Sequence, residues 1–487
     1  MSTSAVRMDG RTWAMLLVLC GAIFLEGIDV AMLNVALPSI RADLGLSTGM
    51  LSGVVSAYVL GYGGFMLLGG RAADLLGHRR VFLTWLVVFL LFSGLGGFAT
   101  EGWMLLVSRF VTGVASAFMA PAGLALVTAA FPPGPARTRA LGIYAGTAAG
   151  GFTLGLVAGG LLTSLGWRWV FFAPVILAAL ILAAAVPLVR RPDGPEPRTG
   201  GFDLAGSLAV TGSMLLLAYG VVRLEHPGEG TALTVGVFAA GALLLAAFAA
   251  IERRSRSPLV RLGILRSPAL VRTNVTALLF LAAFAGFQFL MTLYLQELRG
   301  WTTWQTGLAL LALGADVVLA PTLTPYLVNR FGNVRVLFGG LVVAAVAYGL
   351  FLPLGIDWAY LLMFPILFLI GVAFALVYGP LTMAATDGVD EREHGVAGGL
   401  LYTAIQFGMA LGLSAVTAVQ VAALGDGTST GARLDALRAA LLVPFGAVLL
   451  AAAVTAFGLR ARRRAPDAAA PAEPAPSAVP SAAETAG

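Results

Sequence analysis

Apolar residues run along this 487-residue chain in blocks about twenty long, separated by short stretches that carry nearly all of its charge. A hydrocarbon core about 30 Å thick takes roughly 20 mostly apolar residues per helix, so each block predicts one membrane-spanning helix. Counting blocks between polar breaks places fourteen spans, near 13–38, 48–70, 81–99, 103–127, 139–163, 168–189, 204–222, 231–250, 273–296, 304–328, 335–353, 358–383, 396–423 and 438–459. The first is too long for the apolar region of a cleavable signal peptide, and its exit at Pro38 lacks a small-x-small cleavage site.

Composition points the same way. The chain is 59% hydrophobic and 11% charged with mean hydropathy +0.91, against roughly 25% charged residues in ordinary soluble domains. The expectation is an all-α polytopic membrane protein, not a globular domain with a large core. All 30 basic side chains are arginine. With Arg7 and Arg11 inside, 23 arginines fall on the cytoplasmic side and 6 outside, while Arg109 falls within a span. The positive-inside rule then puts both termini in the cytoplasm. The net charge of +6 reflects topology and contact with anionic lipid heads, with no nucleic-acid partner.

Missing residue types exclude whole chemistries. Without lysine there is no Walker A motif and no Schiff base, so the chain cannot hydrolyse ATP through a P-loop. Cys20 is alone and forms no intrachain disulfide. His78, His226 and His394 lie far apart in loops without metal-ligand spacing. No metal, no cofactor and no enzymatic activity are expected.

The chain also repeats itself. GRAADLLGHRRVFL (70–83) and PYLVNRFGNVRVLF (325–338) align Asp74, Gly77 and Val81 with Asn329, Gly332 and Val336 at identical spacing. A parallel repeat of this kind places a transport site between the halves, near the bilayer midplane. The expected organisation is a cytoplasmic tail (1–12), a six-helix half (13–189), a linker with two inserted helices (190–268), a second six-helix half (269–460) and a disordered Ala/Pro/Ser-rich tail (461–487).

Ionisable groups inside apolar spans are costly, and by default they mark function. Span 1 carries Glu26 and Asp29, three apart and on one helix face. Asp29 lies about 13 Å and Glu26 about 18 Å below Pro38. Two carboxylates this close compete for protons, so at least one is expected to be protonated at neutral pH. Span 4 supplies the one intramembrane base, Arg109, about 9 Å below the outer end and near the depth of Asp29, within reach of pairing with it. Asp316 in span 10 is a candidate for a cationic substrate or a second proton, or for a local hydrogen bond. Span 9 sets Phe280, Phe284, Phe287, Met291 and Tyr294 at helical spacing with Gln288 beside them, either an apolar pocket with a polar handle or a packing face. Span 5 holds two rows of glycine spaced by four, Gly142, Gly146, Gly150 and Gly151, Gly155, Gly159, which let helix backbones approach closely.

Together these residues resemble the major facilitator superfamily, in its fourteen-helix drug:proton antiporter branch, over about residues 10 to 460. GIDVAMLNVALP is similar to that branch's first-helix signature at Asp29, Asn34, Ala36, Leu37 and Pro38, with Ile28 and Ala31 in place of the usual Leu and Thr. GRAADLLGHRR resembles the family's cytoplasmic loop motif at Gly70, Asp74, Gly77 and Arg79, with Leu75 replacing the first basic residue. LLVSRFVTG matches the fourth-helix motif at Arg109 and Gly113, and GFTLGLVAGG matches the antiporter motif at Gly151, Gly155, Gly159 and Gly160, with Leu156 in place of Pro.

The resemblance implies a major facilitator fold with 14 transmembrane helices, two six-helix halves plus two inserted helices. It implies proton-coupled efflux of small amphipathic drugs or antibiotics by alternating access. Asp29 and Glu26 would carry protons and Arg109 would tune them. Asp74 with Arg79 and Arg80 would form a conformational latch. Asn34, with Glu26, Asp316, Phe284, Phe287, Gln288 and Tyr294, is a candidate for substrate contact. The alternative is a metabolite or nutrient carrier on the same fold; a membrane sensor or enzyme is a poorer fit. The expected setting is a bacterial plasma membrane, with a monomeric carrier whose partners are protons, a small-molecule substrate and lipid.

Overall fold

Every apolar block becomes helix. The computed structural model describes residues 10–131, 135–189, 204–223, 230–255, 262–320, 322–387, 394–425 and 427–464. The expected tails, 1–9 and 465–487, and most of the linker lie outside these. The first six helices are α1 (Gly10–Leu44), α2 (Thr48–Leu76), α3 (His78–Gly97), α4 (Gly102–Ala130), α5 (Pro135–Leu165) and α6 (Trp169–Leu188). Then come α7 (Leu204–Arg223) and α8 (Thr231–Arg254), followed by α9 (Pro268–Leu293), which a turn of π-helix extends over Tyr294–Leu298. Local chemistry sets the starts: Ser47 accepts from the Met50 N–H, Ser267 caps α9 with Pro268 behind it, and Thr302 with Gln305 builds a reciprocal capping box.

The tenth span departs from expectation. The sequence predicts one helix over 304–328; the chain instead forms α10 (Thr303–Leu310), a 3₁₀ turn (Leu311–Gly314), α11 (Ala315–Leu319) and α12 (Leu323–Phe331), bent by 53°. The 3₁₀ turn ends at Gly314, which sits so close to α5 that a Cβ there would lie 2.5 Å from Thr153 Cγ2, and the bend falls between Leu319 and Leu323. The remaining helices are α13 (Asn333–Phe351), α14 (Tyr360–Thr386), α15 (His394–Leu424) and α16 (Thr430–Arg464). Among the described residues 12 helices are long and apolar enough to cross a membrane, and the broken pair makes 13. The shorter apolar stretch Ala205–Leu217 in α7 fits the remaining position of a fourteen-span plan.

The two repeat loops share one backbone solution. Gly77 (φ +93°) and Gly332 (φ +85°) hold left-sided conformations that glycine adopts without strain. Each donates its N–H four residues back, to Ala73 and Val328, and each carbonyl accepts from the residue four on, Val81 and Val336.

Packing follows the repeat. α1 packs on α5, α2 on α4 and α3 on α6, while α9 packs on α15 and α16, and α13 on α14. α7 and α8 pair with each other, and α7 leans on α2 and α15. The face carrying neither terminus is called outer here, following the arginine distribution. One buried apolar cluster joins the outer thirds of α1, α4 and α6 (Val35, Leu105, Phe171) to α9, α13 and α14. A second fills the inner part of the first half, around Leu19, Tyr62 and Phe118. The apolar core is therefore shared between halves chiefly at the outer end.

Candidate functional site

The site begins with a helix contact. A Cβ on Gly155 would lie 2.7 Å from Ala31 Cβ, and one on Gly159 would lie 2.7 Å from Met32 Cα, so only glycine lets α5 approach α1 this closely. Gly151 meets the backbone of Phe24 in the same way. The glycine row thus fixes the axial position of the helix that carries Glu26 and Asp29. Gly160 faces the other half: its carbonyl accepts from Thr303 Oγ1 at 3.2 Å, and α10's Gly307 lies against the Leu156 carbonyl. Leu156, standing where the family has proline, is fully buried at this seam.

Asp29 and Arg109 form a buried ion pair, Nη1 to Oδ2 at 2.5 Å, each side chain 2% exposed. The guanidinium carbon lies 4.4 Å from the centre of the Tyr58 ring, and Tyr58 donates its hydroxyl to Ser116 at 2.9 Å. Arg109 Nε is buried without a hydrogen-bond partner. One turn toward the inner face, Glu26 is buried and accepts from the Tyr62 hydroxyl at 3.2 Å. Among the described residues no basic side chain pairs with Glu26.

The sequence reading missed these tyrosines. Tyr58 and Tyr62, four apart in AYVLGY, serve Arg109 and Glu26 respectively from one face of α2. Polar aromatics at i, i+4 within an apolar span were the available signal. Tyr402 of α15 lies within electrostatic reach of Glu26, and its hydroxyl interacts with that of Tyr378 on α14. Tyr378 in turn is within reach of Asp316. Tyr402 is 36% exposed. The broken span places Asp316 in the first turn of α11, half-buried. Irregular helix at membrane depth is tolerated where it lines protein or a water-filled cavity.

The aromatic stripe of α9 divides. Phe280 and Phe284 pack on Phe374, and Phe284 also meets Phe152 of α5, at the seam between halves. Phe287 packs on Tyr348 and Phe351 of α13, Met291 is buried in the core, and Tyr294 donates to the Gly355 carbonyl at 2.6 Å. In this conformation Phe287, Met291 and Tyr294 are thus engaged within the second half. Gln288 accepts from Asn34 Nδ2 at 3.5 Å across the seam, leaving its own Nε2 buried and unpartnered. In the loop motif, Gly70 faces Pro121, and Arg79 donates to the carbonyls of Val189 and Val186, tying the α2–α3 turn to α6. Arg80 is exposed; Asp74 lies in the last turns of α2, its side chain outside the described residues.

At the outer end Arg41 of α1 holds Glu297 with Nη1 3.0 Å from both carboxylate oxygens, and Gln296 donates to the Val35 carbonyl at 2.9 Å. With Gly160–Thr303 and Asn34–Gln288 these contacts close the outer side between the halves. A third of each ion-pair side chain is exposed, so the pair contributes about 0.2–1 kcal/mol. Arg41→Glu is therefore expected to raise labelling of a Val35→Cys probe by an impermeant maleimide about 2–5-fold in a Cys20→Ser background. Adding Glu297→Arg should return labelling to its starting rate; labelling indifferent to both changes would mean the pair does not hold this face shut.

A family model described as Major Facilitator Superfamily matches residues 19–413. The chain belongs to that superfamily. It is therefore a multi-pass membrane protein of a transporter family. Among curated superfamily relatives, puromycin resistance protein pur8 of Streptomyces alboniger is 35% identical over 94% of this chain and 93% of its own. Cephamycin export protein CmcT of Amycolatopsis lactamdurans is 36% identical over 85% of each chain. A solved superfamily fold, a bacterial homolog of the human lysosomal transporter Spinster crystallised inward-facing, superposes with TM-score 0.67 at 17% identity, covering 93% of this chain and 98% of that one.

Proposed function

We propose that this protein exports small amphipathic compounds, antibiotics among them, in exchange for protons, by alternating access between two six-helix halves in a bacterial plasma membrane. The observation that carries the reading is the buried Asp29–Arg109 pair beside Glu26, flanked by Tyr58 and Tyr62, with contacts between the halves at the outer end. A carboxylate held by an arginine can release it when protonated, and the arginine is then free to find another partner. That gives a two-state element whose balance a proton shifts. The puromycin-resistance and cephamycin-export roles that name the two relatives support a drug as cargo. Both termini are cytoplasmic in this reading, and the carrier works as a monomer.

Asp29 takes the transported proton, Arg109 sets when it does so, and Glu26 is either a second proton site or the contact for a cationic substrate. Asn34, Gln288, Phe284 and Asp316 line the path across the seam; Phe287 and Tyr294 would join it only after rearrangement of α9. Gly70, Asp74, Gly77, Arg79 and Arg80 hold the inner end of the first half through the cycle. The test is puromycin uptake into inside-out vesicles carrying the purified chain. An inside-acidic pH gradient is expected to drive accumulation, and a protonophore to abolish it. Uptake unaffected by collapsing the gradient would remove proton exchange, and uptake coupled with the opposite sign would point to a symporting carrier.

A further inference from the structure

A cleft of about 500 Å³ separates the inserted helices α7 and α8 from α9 and α15, a size suited to a drug-sized molecule. No charged side chain lines it, and its wall is apolar except at Asn274 and Thr403. Both carry an unspent group. Thr403 is 7% exposed and its Oγ1 has no partner. Asn274 donates Nδ2 to the Leu270 carbonyl at 2.9 Å, which leaves its Oδ1 buried and unpartnered. A polar atom taken out of water without a partner bears its full desolvation penalty, and inside a bilayer no water repays it.

The unpartnered groups select what fills the cleft. Asn274 Oδ1 only accepts, so the occupant brings an O–H or N–H, and no charged side chain stands in the wall to pair with a charged headgroup. A phospholipid's phosphate is charged and offers no donor, whereas a neutral molecule with one hydroxyl donates to Asn274 Oδ1 and accepts from Thr403 Oγ1. Val271 and Val275, each about 40% exposed, form the rim on the lipid side. At the back, Phe407 closes the cleft and touches α2 at Gly63, the residue after the tyrosine that donates to Glu26. One aromatic side chain therefore stands between the cleft and the stretch of α2 that carries Tyr62.

We infer that this cleft is a lateral loading site that takes neutral amphiphiles from the inner leaflet, their apolar body among Leu278, Phe238 and Leu411 and their polar head between Asn274 Oδ1 and Thr403 Oγ1. Binding stands apart from the export reading; the loading role rests on it. The probe is tritiated estradiol, a neutral amphiphile with a phenolic hydroxyl. It is added to the full chain in vesicles of phosphatidylethanolamine and phosphatidylglycerol. Saturable binding is expected, weakened about tenfold when Thr403→Val and Asn274→Leu are combined, and about tenfold in wild type when the phenol is methylated. Ala404→Phe, which fills the cleft, should remove it. Absence of saturable binding, binding indifferent to both the paired and the filling variants, or a co-purifying phospholipid that estradiol does not displace would overturn the site. If binding behaves as expected but gradient-driven uptake is absent, the export reading fails and the site remains. If uptake of a neutral substrate proceeds undiminished with the cleft filled, the loading role fails.

Discussion

Arg109→Leu is expected to stop gradient-driven transport and to destabilise the protein by about 3–5 kcal/mol, because it strands the Asp29 carboxylate in a site that water does not reach. Asp29→Asn should also stop proton exchange, yet at a smaller cost, since an amide oxygen still accepts from Arg109. Changing both residues to Leu should return most of the lost stability, because a buried pair replaced by apolar side chains is often neutral or better. Transport should not return with it. The three variants separate what the pair does for the fold from what it does for the cycle. Thermal melts of the purified proteins in detergent, read beside uptake in vesicles, provide the check. Equal melting of wild type and Arg109→Leu would show that Asp29 finds another partner, and an Asp29→Asn carrier working at the wild-type rate would remove the proton-carrier role. The unpartnered Nε of Arg109 bears on this cycle. The arginine is not saturated by its contacts, so releasing Asp29 breaks one strong bond instead of a full set, and a switch with that property can be thrown by a single proton.

How much of this was legible in the chain depends on what enforces each feature. Lipid enforces the spans: a segment without enough apolar residues cannot cross, so each block of the pattern is helix, and charge elsewhere is confined to the ends. Depth along a helix is equally legible at a fixed rise per residue. That is why Asp29 and Arg109, counted from the outer ends of their own spans, come to similar levels and are found in contact. What the pattern leaves open is which way a residue faces. Phe284 and Phe287 are three apart in one stripe, yet the first lies at the seam with α5 and the second is packed on α13. The break in the tenth span was hidden for a related reason. Hydropathy over 304–328 reads as continuous, whereas the 3₁₀ turn ends at Gly314, seated against Thr153 of another helix, and the 53° bend falls between Leu319 and Leu323. Tyr58 and Tyr62 escaped notice because tyrosine fits an apolar pattern until its hydroxyl is given a partner.

Glu26→Gln is expected to divide substrates by charge. In wild type the Glu26 carboxylate has one hydrogen-bond donor, Tyr62, and no cation beside it, whereas Asp29, one turn away, already has its arginine. A buried carboxyl with no cation beside it is a place where an incoming cation supplies the missing charge, displacing only the proton that otherwise neutralises the group. The surrounding hydroxyls of Tyr62 and Tyr402 add aromatic faces on which a cationic amphiphile can rest. Losing that charge should weaken binding of a monocationic substrate by about 10–100-fold, the scale of a charge-assisted contact of roughly 1.5–3 kcal/mol. A neutral compound of the same shape should bind as before. Tyr62→Phe should have a milder effect of the same kind, because the carboxylate stays while its one donor goes. The measurement is tracer binding of a cationic and a neutral compound of matched shape to the reconstituted protein, with the proton gradient collapsed so that binding is read apart from coupling. If the cationic and neutral compounds lose affinity alike, Glu26 shapes the cavity without reading charge. If neither does and proton flux per substrate falls, Glu26 is a second proton site instead.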